Sequence, residues 1–152
     1  MKRAAPRSRF LPARAFRWRG AGRGRYRDLA GAAAAGVSRQ ILVAGSDGAA
    51  VRFDVRYFEL APGRRTNFER HRHAHVVVGL RGAGRVRLGR RWLRMRRLDA
   101  CYVAPDTPHE LHNDQQRPFG FLCVVDAQRD RGRAVRAGRE PMRPGRRGRA
   151  TQ

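Results

Sequence analysis

Between residues 37 and 128 no ten consecutive positions carry a helical apolar period; apolar residues instead recur at every second position, and turn residues interrupt them every few residues. A period of two puts alternate side chains on opposite faces of an extended chain, so such segments bury an apolar face only within a sheet. Gln40–Ala44 reads as one strand, closed by Ser46-Asp47-Gly48. Val51, Phe53, Val55 and Tyr57 alternate with Arg52, Asp54 and Arg56, which predicts an apolar face and a polar face, and Ala61-Pro62-Gly63 turns the chain again. His75–Leu80 and Arg85–Leu88 flank Arg81-Gly82-Ala83-Gly84, a hairpin signal. Trp92–Met95, Ala100–Ala104 and Phe119–Val125 complete the set, the last an apolar run suited to a buried strand. Many short strands at regular spacing predict an all-β fold, a sandwich or a closed barrel.

A chain of 152 residues is long enough for one such domain and too short for two. Its 35 Lys and Arg against 12 Asp and Glu give a formal charge of +23, of which residues 1–36 carry +9 and residues 129–152 carry +7. The predicted organisation is a flexible basic tail over 1–15, a barrel domain over 16–128 with its core in 37–128, and a second flexible basic tail over 129–152. Arg-rich ends can neutralise phosphates, but a single lysine among abundant Ala, Gly and Arg also reflects a GC-biased coding sequence. Residues 1–36 are too few for a helix-turn-helix domain, so nucleic acid is not the favoured partner. The longest uncharged stretch, Leu29 to Ser38, is too short and too weakly apolar to cross a membrane. Cys101 and Cys123 lie in apolar runs and read as reduced core residues, which suits a cytoplasmic protein.

Chemistry concentrates in five histidines: His71, His73, His75, His109 and His112. Three of them at alternating positions entering an apolar strand, with two more on a later strand, favour metal binding over a solvated polar edge. On one straight strand residues i and i+4 lie about 13 Å apart, whereas imidazole nitrogens sit about 2.0–2.1 Å from a divalent ion. Glu69, His71 and His75 therefore cannot share an ion from one straight strand. A reversal near residues 72–74 resolves this, placing Glu69 and His71 on one strand and His75 on an antiparallel neighbour, with His73 in the turn. Pro105-Asp106-Thr107-Pro108 then delivers His109 at the start of a further strand. Glu110 is expected to face solvent and His112 to point off the interior. Cys123 reads first as a small buried hydrophobe and second as a cavity residue. Trp92, Phe119 and Phe121 fill the core or wall the pocket.

In these motifs the chain resembles the cupin superfamily, the small-barrel fold of germins and their bacterial relatives. Gly63 is followed by five residues, Glu69-x-His71, three residues, His75, six residues and Gly82, the spacing of the first cupin motif. Glu stands for that motif's first His, and His for its usual Glu. In the second motif His109 and Asn113 match, Leu98 and Asp106 occupy the usual glycine positions, and the proline is displaced to Pro105. The resemblance implies a single jelly-roll cupin barrel with His71, His75 and His109 as metal ligands and Glu69 offered as the fourth. A competing register pairs His71 with His73, leaving His73 open as an alternative ligand, but puts a valine (Val77 or Val78) at the acid position and misplaces Gly82.

Such a ligand set implies one divalent first-row transition metal, Mn, Fe, Ni or Zn, and several small bacterial cupins bind manganese. His73, Phe121 and Cys123 are expected to line the pocket. Two functions stay open at this point. One is a metal-dependent enzyme, oxidoreductase or dioxygenase-like, acting on a small organic substrate. The other is a non-catalytic cupin module that binds or senses a metal or small ligand. Neither reading depends on a membrane, and pairing into a homodimer through an exposed strand edge fits both.

Overall fold

The computed structural model describes residues 7–45 and 51–136. The turn expected at Ser46-Asp47-Gly48, and residues 1–6 and 137–152 of the expected tails, lie outside the described residues. Among the described residues thirteen strands run in chain order: β1 (Ala13–Arg14), β2 (Arg17–Trp18), β3 (Gly22–Arg27), β4 (Ala33–Val43), β5 (Phe53–Leu60), β6 (Glu69–Arg70), β7 (His75–Arg81), β8 (Gly84–Leu88), β9 (Arg91–Met95), β10 (Ala100–Val103), β11 (His109–His112), β12 (Phe119–Asp126) and β13 (Arg133–Ala134). They form a six-stranded sheet, β10-β7-β12-β5-β4-β3, and a five-stranded sheet, β13-β6-β11-β8-β9, with β1 and β2 as a separate hairpin. The architecture is all-β and barrel-like. No helix among the described residues is long and apolar enough to cross a membrane.

The core lies between the two sheets. Phe119, Phe121, Cys123 and Val125 point inward from β12, and Phe58 and Leu60 from β5, to meet Val86, Leu111 and Met95 of the facing sheet. β12 is hydrogen-bonded on both edges, to β5 and β7, which fixes its register from both sides. The hairpin β7–β8 forms where its sequence predicts, with Gly82 at a positive φ of 61°. A side chain there would collide with the carbonyl of Pro118, so glycine is required by both conformation and space.

Three expectations are corrected. First, β5 faces the other way. Phe53 is 42% exposed, whereas Asp54 is buried and Arg56 points to the interior with Phe58. The reason is the β1–β2 hairpin, which covers the outer face of the sheet: Phe16 and Trp18 pack on Tyr57 with ring centroids 6.2 and 4.9 Å apart. Tyr57 is thus buried without entering the barrel, and the hairpin brings residues 13–15 into the fold.

Second, Glu69–Arg70 and His75–Arg81 are not neighbours in one sheet. β6 pairs with β11 and β13, while β7 pairs with β10 and β12, so the chain crosses between sheets at residues 71–74. The carboxylate of Asp130 holds that crossover, accepting the Arg72 amide at 2.9 and 3.0 Å and the His73 amide at 3.2 Å. Third, residues 129–136 are not a free tail. Arg133–Ala134 pair with β6, and Arg129 reaches the buried Asp54 at 2.6 Å.

The two non-glycine residues at the motif's glycine positions adopt the backbone that glycine favours: φ is 71° at Leu98 and 58° at Asp106. An L residue in this left-handed region costs about 1–2 kcal/mol. Leu98 is 70% exposed, so its side chain contributes little packing in return. Glycine gives back roughly 0.5–1 kcal/mol of chain entropy, so Leu98→Gly is expected to stabilise the fold by about 0.5–1 kcal/mol. A thermal melt should show a rise of a few degrees; a fall would mean that the leucine packs usefully.

Candidate metal centre

His71, His75 and His109 come together at one end of the barrel interior, each from a different local context. His71 follows β6 in the crossover, His75 opens β7 in the opposite sheet, and His109 opens β11. Residues 105–108 turn tightly before His109: the Asp106 amide donates to the His71 carbonyl at 2.7 Å, tying the His109 loop to the His71 segment. His71 and His109 are buried and His75 is half-buried. Their candidate ligand nitrogens all lie within 4.8 Å of one another, and they are the one such cluster among the described residues.

Hydrogen bonds orient the rings. The Nδ1 of His71 meets the carbonyl of His73 at 2.7 Å, and the Nδ1 of His109 meets the carbonyl of Thr107 at 2.8 Å. A carbonyl only accepts, so both Nδ1 atoms carry the proton and both Nε2 atoms present a lone pair. The Nδ1 of His75 lies 3.4 Å from Cys123 Sγ, a group that both donates and accepts. The Nε2 atoms of His75 and His109 then lie 3.1 Å apart. Two nitrogens bound at right angles to one ion at about 2.1 Å would be about 3.0 Å apart. Facing lone pairs at that distance repel unless a proton or a cation lies between them. The donor set fits a first-row divalent ion, with a movement below about 1 Å needed to bring the farthest pair into contact distance.

Electrostatics keep His75 and His109 neutral. Burial, then the neighbouring imidazoles, push His75 down to about 2; burial pushes His109 down to about 4, opposed by its bond to Thr107. An unfolded histidine titrates near 6.5, so as pH falls the unfolded chain takes up protons first. This stabilisation of the metal-free fold is therefore complete above pH 6.5 and is lost as the pH falls towards 4 and below. For His109 alone the loss by pH 4 is roughly 3 kcal/mol. Thermal melts of metal-free protein should fall steeply across that window; a flat profile would contradict neutral buried imidazoles.

His73 stacks on His71, with ring centroids 3.6 Å apart and planes 3° off parallel, and its Nδ1 meets Asp130 Oδ1 at 2.8 Å. It lines the cavity, as do Phe121 and Cys123, but lies outside the three-histidine cluster. Glu69 is opposite His109 on the neighbouring strand and lines the same cavity. Its carboxylate is not in the cluster; it packs against Gly132, where an added side chain would displace it. Burial raises the Glu69 carboxyl above its usual range, opposed by His71, Asn67 and Arg56. Glu110 corrects the expectation of exposure: it is 3% exposed and pairs with Arg87 at 3.3 Å directly across β11 and β8. His112 faces away, against Trp92.

The cluster forms the floor of a cavity of about 710 Å³, within the usual range for small-molecule sites. Sequence reasoning missed two of its wall residues, Arg39 and Arg56. Alternation hides Arg56 by assigning the polar half of its strand to the outer face, and Arg39 precedes the expected strand Gln40–Ala44, which in fact runs Ala33–Val43.

Residues 56–125 match the family model described as Cupin domain. The 1-methylthio-D-xylulose 5-phosphate methylsulfurylase of Rhodospirillum rubrum is 33% identical over 116 residues, spanning 76% of this chain and 72% of that protein. A crystal structure of a cupin 2 domain-containing protein from Halorhodospira halophila is 38% identical, with a TM-score of 0.64 over 84% of this chain and 82% of that one. A cupin 2 conserved barrel domain protein from Rhodopseudomonas palustris is 33% identical, with a TM-score of 0.70 over 82% of this chain and 84% of that one. The barrel, the motif spacing and these similarities agree: the chain belongs to the cupin superfamily.

Proposed function

We propose that the protein is a metal-dependent enzyme acting on a small organic substrate held in the barrel cavity. The observation that carries this reading is the 3.1 Å approach of two imidazole Nε2 atoms, with a third imidazole beside them, at the floor of that cavity. A divalent first-row ion held there would supply Lewis-acid or redox chemistry to a substrate atom. His71, His75 and His109 would hold it, leaving further coordination positions for water or substrate. Glu69 lines the same cavity outside the cluster and would accept a proton from bound substrate. Phe121 and Phe58, stacked with centroids 5.5 Å apart, wall the apolar side of the cavity. The methylsulfurylase similarity supports an enzyme over a passive module and makes small phosphorylated thioethers the first substrates to try. Oxidoreductase chemistry remains the reaction class to assay first.

The test reconstitutes chelator-treated protein with Mn, Fe(II), Ni or Zn in turn and follows both oxygen consumption and conversion of a substrate panel. Turnover with one metal that disappears in His109→Ala supports the enzyme. Stoichiometric metal binding with no turnover on any panel member would favour a sensing or binding module instead.

A further inference from the structure

One wall of the cavity holds an unusual pair of charges. Arg39 on β4 and Arg56 on β5 sit diagonally across adjacent strands: Arg39 is opposite Phe58, and Arg56 is opposite Ile41. Diagonal neighbours on one face are within reach of each other's long side chains. Both guanidinium groups line the cavity. The Nε of each is buried with no hydrogen-bond partner, and neither side chain has an ion pair among the described residues. Burial and the adjacent Arg56 both lower Arg39. The arginine that could borrow a counter-charge nearby does so: Arg129 is committed to Asp54.

Two half-buried like charges, each with a buried Nε that lacks a partner, cost free energy unless something arrives to satisfy them. Arg56 is also held in place, with its plane over Phe58 at 5.2 Å and Nη2 3.3 Å from Cys123 Sγ. That sulfur is the same atom that meets Nδ1 of His75, so a single side chain separates Arg56 from the histidine cluster. Arg39 packs over Gly24 of β3, where any side chain would collide with its guanidinium. Arg56 is thus oriented before a ligand binds, with Arg39 diagonal to it on the same face.

We propose that Arg39 and Arg56 form an anion subsite that takes the phosphoryl group of a phosphorylated small molecule and sets the rest of that molecule over the three histidines. The proposal deepens the enzyme reading by naming the substrate class of the same cavity, and so rests on it. Two forked guanidinium groups with no shared carboxylate match a dianion with several acceptor oxygens better than a monoanionic carboxylate. Free phosphate and a phosphate monoester share this chemistry, and the test separates them.

The test measures binding of inorganic phosphate, ribose 5-phosphate and acetate by calorimetry at physiological ionic strength, on the full chain after chelator treatment so that no metal contributes. One ribose 5-phosphate per chain is expected. Arg39→Gln and Arg56→Gln should each weaken it about tenfold or more, while the surface variant Arg94→Gln leaves it unchanged. Binding of ribose 5-phosphate tighter than inorganic phosphate supports a substrate subsite; equal or tighter inorganic phosphate would leave only a free-phosphate site and overturn the substrate assignment. Acetate bound as tightly as ribose 5-phosphate, or affinities unchanged in both glutamine variants, would also overturn the proposal. Should Arg56→Gln fail to fold, Arg39→Gln carries the test alone. Elemental analysis of the same variants keeps the two readings apart. Arginine-dependent binding in a chain that never takes up metal would leave the subsite standing and the metal centre fallen; normal metal uptake with no arginine dependence would do the reverse.

Discussion

Replacing His109 or His71 by alanine is expected to abolish most metal uptake, whereas replacing His73 by alanine should preserve it. His109 and His71 present Nε2 to the common centre and anchor Nδ1 on backbone carbonyls, so each truncation removes a donor that no neighbour replaces. With three protein donors, loss of one should weaken binding by about two orders of magnitude or more, beyond the 10- to 100-fold typical of losing a supporting group. His73 acts differently. Its carbonyl orients His71, and that atom survives in alanine; the stacked ring and its bond to Asp130 do not. A loss below about tenfold is expected. Equilibrium dialysis with elemental detection checks all three variants, and equal losses in His73→Ala and His71→Ala would overturn the ligand choice.

Asn113→Ala should destabilise the barrel strongly while leaving metal stoichiometry intact at low temperature. Asn113 has no exposed surface. Its amide donates to the Leu60 carbonyl at 2.9 Å and the Arg117 carbonyl at 2.8 Å, and its Oδ1 accepts from the Gln115 amide at 2.9 Å. Three elements thus meet on one side chain: the end of β5, the end of β11 and the turn into β12. Each bond is worth about 1 kcal/mol net, and carbonyls left buried without a donor add to the loss. A cost of about 3–4 kcal/mol follows, a drop in melting temperature of roughly 10 °C. A drop below two or three degrees would mean that water replaces the amide.

Much of the fold is legible in the sequence because its strands obey a period of two and its hairpins carry glycine. β7, β8, β9, β10 and β12 fall within two residues of their expected limits. The shortest strands, β1, β2, β6 and β13, are not legible, since two residues carry no period at all. Alternation also fixes only which residues share a face, not which face is inside. At β5 it predicts the apolar half inside, but the β1–β2 hairpin buries Tyr57 from outside and the interior near the histidines is polar. The same error of phase conceals Arg56, while Arg39 precedes the expected strand Gln40–Ala44, which in fact runs Ala33–Val43. The histidine cluster is legible because three alternating imidazoles and a fourth after a proline-bounded turn have few other uses. The crossover between sheets is not, because Asp130, which holds it, lies 57 residues from His73 in the chain.

Anomalous diffraction from a crystal soaked in a manganese or zinc salt, recorded at that metal's absorption edge, tests the central claim most directly. One peak is expected per chain, in the barrel cavity, about 2.0–2.2 Å from Nε2 of His71, His75 and His109. A cavity without a peak, or a peak bound by other side chains, would contradict it.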